Sequence, residues 1–143
     1  MVDYPVTFES SSETEKSQDD WSLETNEGLE TRMSVPEEFG GEKEKPSPED
    51  LFSASLQSCL IATFKTIAER KHLDYQKIEA EAEVSLDRGE DSRPVMKQAE
   101  INLKITEVAD TGKAAEVAES AEKNCFIHNS VNTDVETNFE FRE

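Results

Sequence analysis

Cys59 and Cys125 are the only cysteines in this chain of 143 residues, and they stand in contrasting company. Cys59 lies inside "SPEDLFSASLQSCLIATF", Ser47 to Phe64, where nothing charged occurs from Leu51 onward. Cys125 opens "CFIHNS", three residues before His128. Two thiols remote in sequence can be paired in space and carry out redox catalysis. A thiolate attacks the O–O bond of a peroxide and becomes a sulfenic acid, the second thiol condenses with it to a disulfide, and an external dithiol restores both. An apolar setting suits an organic hydroperoxide better than hydrogen peroxide. The plain alternative is an inert buried thiol, since free cysteine packs as a small hydrophobe.

His128 invites two readings: in a helical segment it could face the Cys125 sulfur and lower its pKa, and in a loop it is a surface histidine. A metal site would have to recruit Cys59, Cys125, His128 and His72, every Cys and His in the chain. Cys-x-x-His alone is a weak signature for that, so no metal and no cofactor is expected.

The elements that must position these residues are written in the periodicity. Ser47 suits an N-cap, Pro48 the first helical position, and Glu49 and Asp50 the positive end of the helix dipole. Helix-compatible residues continue to Ala68, with Arg70 and Lys71 where a C-terminus favours cations. "KIEAEAEVSLD" and "KQAEINLKITEV" alternate apolar with polar residues, which predicts two strands with one wet face each, joined by "RGEDSRP". "GKAAEVAESAEKN" predicts a second helix ending at Asn124 and Cys125, and "TDVETNFEF" a last strand. Residues 1 to 35 read as strands in antiparallel succession, with Val6 and Phe8 in the first, "SSSETEKSQDD" a polar loop, and Leu29, Thr31, Met33 and Val35 sharing one face. "PEEFGGEKEKPSPED" is a loop.

The order of strands, long apolar helix, two strands, helix and strand predicts an α+β fold with helices packed on antiparallel sheet, as one domain spanning 1–143. Only 34% of residues are hydrophobic, a thin supply for a self-sufficient monomer. A helix uncharged nearly all round needs cover on most sides, and one small sheet offers too little. A homodimer that encloses its helices between the sheets of two subunits is therefore expected, against the alternative of a helix buried within one chain.

Acidic residues number 33 against 15 basic, a formal net charge of -18. That field repels phosphate backbones and anionic membrane surfaces, so neither nucleic acid nor membrane is an expected partner. The N-terminus lacks the basic and apolar regions of a signal peptide, and no apolar run is read as long enough to span a bilayer. A cytoplasmic location is expected, where a permanent structural disulfide is the less common use of two cysteines.

"VPEEFGG", a loop, "SPEDLFSASLQSC" and, much later, "CFIHNS" together resemble the osmotically inducible and organic hydroperoxide resistance proteins, the OsmC/Ohr family. The likeness runs from about Leu29 to Phe141. It implies an obligate, intertwined homodimer with antiparallel sheets around a long central apolar helix. It also implies active sites at the subunit interface and thiol-dependent reduction of organic hydroperoxides in defence against oxidative stress. Cys59 would be the peroxidatic residue and Cys125 the resolving one, with a dihydrolipoyl-type dithiol as reductant. Glu49 matches the family glutamate, which orients an arginine that stabilises the thiolate. Ten residues along a straight helix separate Glu49 from Cys59 by about 15 Å and place them on different faces. Sharing a site thus requires a helix break or a partner chain; otherwise Glu49 is simply an acid favoured by the helix dipole.

The chain departs from the family pattern at that arginine. Neither "SSSETEK" nor "PEEFGG", the two stretches where members carry it, contains one. Lys16 could supply a charge from the first and Arg32 could approach from the second strand, though lysine lacks the bidentate fork. His128 stands where members commonly carry a small polar residue. The competing expectation keeps the fold without efficient turnover: a dimer that binds a small, lipid-like molecule or senses redox state. A structural stress protein with inert cysteines is a third.

Overall fold

The computed structural model describes all 143 residues, in two compact units, residues 1–51 and 52–143. The first unit holds an antiparallel sheet of β1 (Ser10–Glu13), β2 (Trp21–Thr25) and β3 (Glu30–Met33), in that order. β1 falls within the stretch read as a polar loop, whereas Val6 and Phe8 lie outside any strand and are exposed. Its four residues are all exposed and it has no apolar face to announce it. It forms through backbone pairing from Ser10↔Thr25 to Glu13↔Ser22. Of the face expected on β3, only Met33 is buried; Leu29 and Val35 are exposed.

After β3 the chain turns through a short 3-10 segment, Glu37–Phe39, closed by Gly40 at φ 89°. Gly41 must be glycine, because a Cβ there would lie 1.6 Å from the Val35 carbonyl oxygen. Buried Ser34 receives the Glu42 N–H at 2.9 Å and donates its own N–H to the Pro46 carbonyl. Asp20 binds Arg32 through both carboxylate oxygens, at 2.6 and 3.2 Å, and Lys45 at 2.7 Å. Hydrogen bonds from Arg32 first, then Lys45, hold the Asp20 carboxyl far below the usual carboxylate range.

The long helix α1 runs unbroken over Pro48–Arg70. Ser47 caps it reciprocally: Ser47 Oγ accepts the Asp50 N–H at 3.2 Å, and Asp50 Oδ2 accepts the Ser47 N–H at 2.9 Å. Removing that hydroxyl as Ser47→Ala is expected to cost about 1 kcal/mol of stability, the usual worth of such a cap. Denaturant unfolding of the variant beside the parent checks it, and an unchanged midpoint would contradict the cap's role.

The second unit packs α1 from Phe52 onward, and α2 (Thr111–Asn124), on one face of a sheet of β4 (Lys77–Arg88), β5 (Pro94–Thr106) and β6 (Asp134–Phe141). β4 and β5 pair antiparallel with a bulge at Ser85/Leu86, as the alternation predicts. β6 joins β5 in parallel. This departs from an all-antiparallel sheet for a topological reason: α2 carries the chain back across the sheet, and a strand–helix–strand crossover returns in the starting direction. Alternate residues of central β5, Ala99 to Ile105, enter the core against Val117 and Ala121 of α2. From α1 comes a stripe at four-residue spacing, Leu56, Leu60, Phe64 and Ala68. Phe64 meets Tyr75 edge-on, centroids 5.9 Å apart, and stacks on Phe139 at 6.1 Å.

The opposite stripe of α1, Ala54, Ser58 and Ala62, is exposed in the single chain. α1 is also long and apolar enough to cross a membrane by length and composition, which revises the expectation that no segment reaches that length. The test is met by core helices as well, and the buried stripe of α1 is packed in the core.

Candidate functional site

Cys59 sits midway along α1, one position before buried Leu60 and therefore at the margin of the core stripe, half-buried. Cys125 is the C-cap of α2, extended at φ -74°, ψ 110°, and almost wholly buried. Both are free thiols. The fold brings them together: each sulfur bears on the acidity of the other, although the residues belong to different helices.

The loop after α2 surrounds the two sulfurs with donors. The backbone N–H groups of Ile127 and Phe126 act to lower the Cys59 pKa. Those of His128 and Ile127 act in the same direction on Cys125. None of these three amides takes part in a backbone–backbone hydrogen bond. The loop's own side chains fix their direction. Asn129 Nδ2 donates to the Lys123 carbonyl at 3.0 Å, Ser130 Oγ donates to the Phe126 carbonyl at 2.7 Å, and the Asn129 N–H returns to the Cys125 carbonyl at 3.0 Å. A rigid turn of this kind, with successive N–H groups converging, is a concavity for negative charge.

The consequence is an unequal pair. Burial pushes the Cys59 thiol up, but the Ile127 N–H, then the Cys125 thiol, the Thr63 hydroxyl and the Phe126 N–H outweigh it, and the net shift is downward. Thr63 is the weaker part of this, because its single proton also goes to the Cys59 carbonyl at 2.8 Å. Burial likewise raises Cys125, and the neighbouring Cys59 charge adds to it, so that this thiol is pushed up to about 11 despite the His128 N–H. Cys59 is thus the sulfur disposed to ionise and attack, and Cys125 the one disposed to hold its proton.

The remaining sequence-predicted residues fall in different places. Glu49 lies in the first turn of α1, and its Oε1 is buried without a hydrogen-bond partner. Because α1 is unbroken, the helix break that would bring Glu49 to its own Cys59 does not occur. Arg32 has its guanidinium fork closed on Asp20, and Lys16 is exposed. His128 starts a 3-10 turn, half-buried, with Nδ1 buried and unpartnered. His72 lies elsewhere, in the lining of an open cavity of about 740 Å³ at the C-terminal end of α1 that contains neither cysteine. No cluster of three or more His, Cys, Asp or Glu side chains suited to a metal is present.

What the sequence reading missed is the set of backbone amides, since an N–H belongs to every residue but proline. The signal that could have pointed to them is the polar trio Asn124, Asn129 and Ser130 around Cys125, residues that bind local backbone and fix turns.

The family model described as OsmC-like protein matches residues 40–140. An uncharacterized protein of Acinetobacter baylyi is 27% identical over 113 residues, 78% of this chain and 77% of the relative. Among solved structures, an OsmC-like protein of unknown function from Vibrio cholerae superposes with a TM-score of 0.84 at 17% identity, covering 96% of this chain and 99% of that one. An organic hydroperoxide resistance protein from Elizabethkingia anophelis gives 0.81 at 17% identity, covering 97% and 99%. At such identities the structural likeness concerns the fold.

Proposed function

The chain belongs to the OsmC-like protein family, and from that membership we propose that it is a two-cysteine, thiol-dependent peroxidase acting on organic hydroperoxides. The observation that carries this reading is a pair of free thiols near enough to act on each other, with opposed acidities, Cys59 lowered and Cys125 raised. The Cys59 thiolate attacks the distal oxygen of the hydroperoxide; the O–O bond breaks, the alkoxide leaves and takes a proton from solvent, and Cys59 becomes a sulfenic acid. Cys125 displaces hydroxide from that sulfur to form the disulfide and water. A dithiol of the dihydrolipoyl class reduces the disulfide by exchange, becoming a cyclic disulfide itself.

Backbone amides supply the thiolate stabilisation for which the family arginine is lacking in this chain. Glu49 acts from the partner chain in a homodimer, since the unbroken α1 keeps it from its own Cys59. The acidic surface and free thiols are in keeping with a cytoplasmic enzyme.

Titrating the reduced protein with cumene hydroperoxide, following free thiols and intact mass, tests the proposal. Two thiols should disappear together as an intramolecular disulfide; Cys125→Ser should stop at the sulfenic acid and Cys59→Ser should not react. One observation favours a second reading, a ligand-binding or redox-sensing dimer: the fork of Arg32 is engaged by Asp20. Slow or absent oxidation at stoichiometric peroxide would sink the peroxidase and favour that second reading.

A further inference from the structure

Val95 and Met96 belong to no part of the core that packs α1 and α2 on the sheet. With Phe52 and Val131 they line an open cavity of about 670 Å³ between the β4–β5 turn and the loop that leads into β6, whose polar lining includes Lys97 and Thr133. That volume falls within the roughly 300–1,000 Å³ usual for small-molecule sites.

Met96 reaches the cavity through the irregularity in the sheet. Strict alternation back from buried Ala99 would bring Lys97 to the helix side. The register instead passes from Ser85↔Gln98 to Leu86↔Met96 and leaves Lys97 without a cross-strand partner. Met96 therefore shares the face of Leu86, which continues the inward series Ala80, Ala82 and Val84. Re-aiming a side chain in this way is what bulges do beside functional sites.

Two stretches of chain join this cavity to the thiols. On α1, Phe52 and Cys59 are seven residues apart, which sets them on one helical face about 10 Å apart along the axis. Ser55 lies between them on that face, and all three are half-buried. Its hydroxyl is turned back on the helix and donates to the Phe52 carbonyl at 2.8 Å. A small side chain whose polar end is already satisfied leaves a low passage from Phe52 to Cys59. The second stretch runs from Cys125 through the turn fixed by Asn129 and Ser130 to Val131 in the cavity lining.

We propose that this cavity receives the far end of the hydroperoxide's organic group and that Met96 sets the chain length it accepts, an inference that rests on the two-cysteine reading above. With the O–O bond at Cys59, an apolar chain laid over Ser55 ends against Phe52, Met96 and Val131. A compact hydroperoxide reaches the sulfur without gaining that contact.

Oxidation of the reduced full-length protein by butyl, octyl and decyl hydroperoxide, followed as second-order loss of free thiols, reads the subsite. Each added methylene that leaves water should raise the rate about 4-fold until the cavity is filled. Met96→Ala should move the preferred chain toward decyl, Met96→Trp should move it toward butyl, and Ser55→Leu should flatten the dependence. Opposite shifts from one position cannot come from loss of fold. Rates independent of chain length in the parent, or a dependence that neither Met96 variant moves, overturn the proposal. Decanol, which cannot oxidise a thiol, gives a second readout: it should slow iodoacetamide alkylation of Cys59 more than butanol does, and less so in Met96→Trp. Thiols that survive all three hydroperoxides while decanol still protects Cys59 remove the peroxidase reading and keep the cavity as the site of an apolar ligand. Oxidation at one rate by all three, without protection by decanol, keeps the peroxidase and removes the subsite.

Discussion

Ile127→Pro should slow oxidation of Cys59 by an organic hydroperoxide about 10- to 100-fold at neutral pH. The Ile127 N–H is the strongest of the donors that offset burial at Cys59, and it also bears on Cys125. Proline deletes that N–H and also restricts the backbone of Phe126 before it. Ile127 already has φ -69°, the angle that the pyrrolidine ring imposes, and its N–H makes no backbone–backbone hydrogen bond. Its side chain is partly buried against the core, where proline remains apolar.

A hydrogen bond to a charged group contributes roughly 1.5–3 kcal/mol, and one pKa unit corresponds to about 1.4 kcal/mol. Losing the donor therefore moves the Cys59 pKa up, and the thiolate fraction at pH 7 falls with it. The pH profile of Cys59 alkylation by iodoacetamide, in a Cys125→Ser background, reads the shift directly. Ile127→Val, which keeps the N–H, is the control and should match the parent. If the proline variant alkylates with the parent's profile, the amides do not activate Cys59 and another source of thiolate stabilisation is required.

This places the least legible part of the protein at its most reactive atoms. The α1 helix was written plainly in Ser47, Pro48, Glu49 and Asp50 followed by an uncharged run, and β4 and β5 in strict alternation, because local periodicity and caps dictate those elements. β1 escaped because Ser10–Glu13 carry no apolar face; its pairing is a property of β2 and the backbone. The parallel entry of β6 follows from the order strand, helix, strand once all three share one sheet, a fact of topology rather than of the "TDVETNFEF" pattern. Cys59 and Cys125 were evident by residue type. What separates their acidities was not, because it lies in the aim of three amides that Asn129 and Ser130 fix through their own hydrogen bonds. Arg32, the one candidate cation with a bidentate fork, proved to be engaged by Asp20, a partner that no local pattern in the sequence ties to it.

The uncharged helix leads to the last prediction, Ala54→Arg. Leu56 and Leu60 turn into the core, while Ala54, about 200° around the helix from Leu56, lies with Ser58 and Ala62 on the exposed side. A solvent-facing helix stripe ordinarily carries charge, and in a chain of net charge -18 a stripe without any is a costly way to meet water. Small residues four apart also permit close approach of a second helix, in keeping with the proposed homodimer. An arginine within such a contact would be desolvated without a partner, at a cost of several kcal/mol per interface. Light scattering of the parent should give a dimer of 16.1 kDa chains, and the variant a monomer at the same concentration with its α1 helicity retained. A variant that stays dimeric would move the interface away from this stripe and leave the missing charges of α1 without a physical cause.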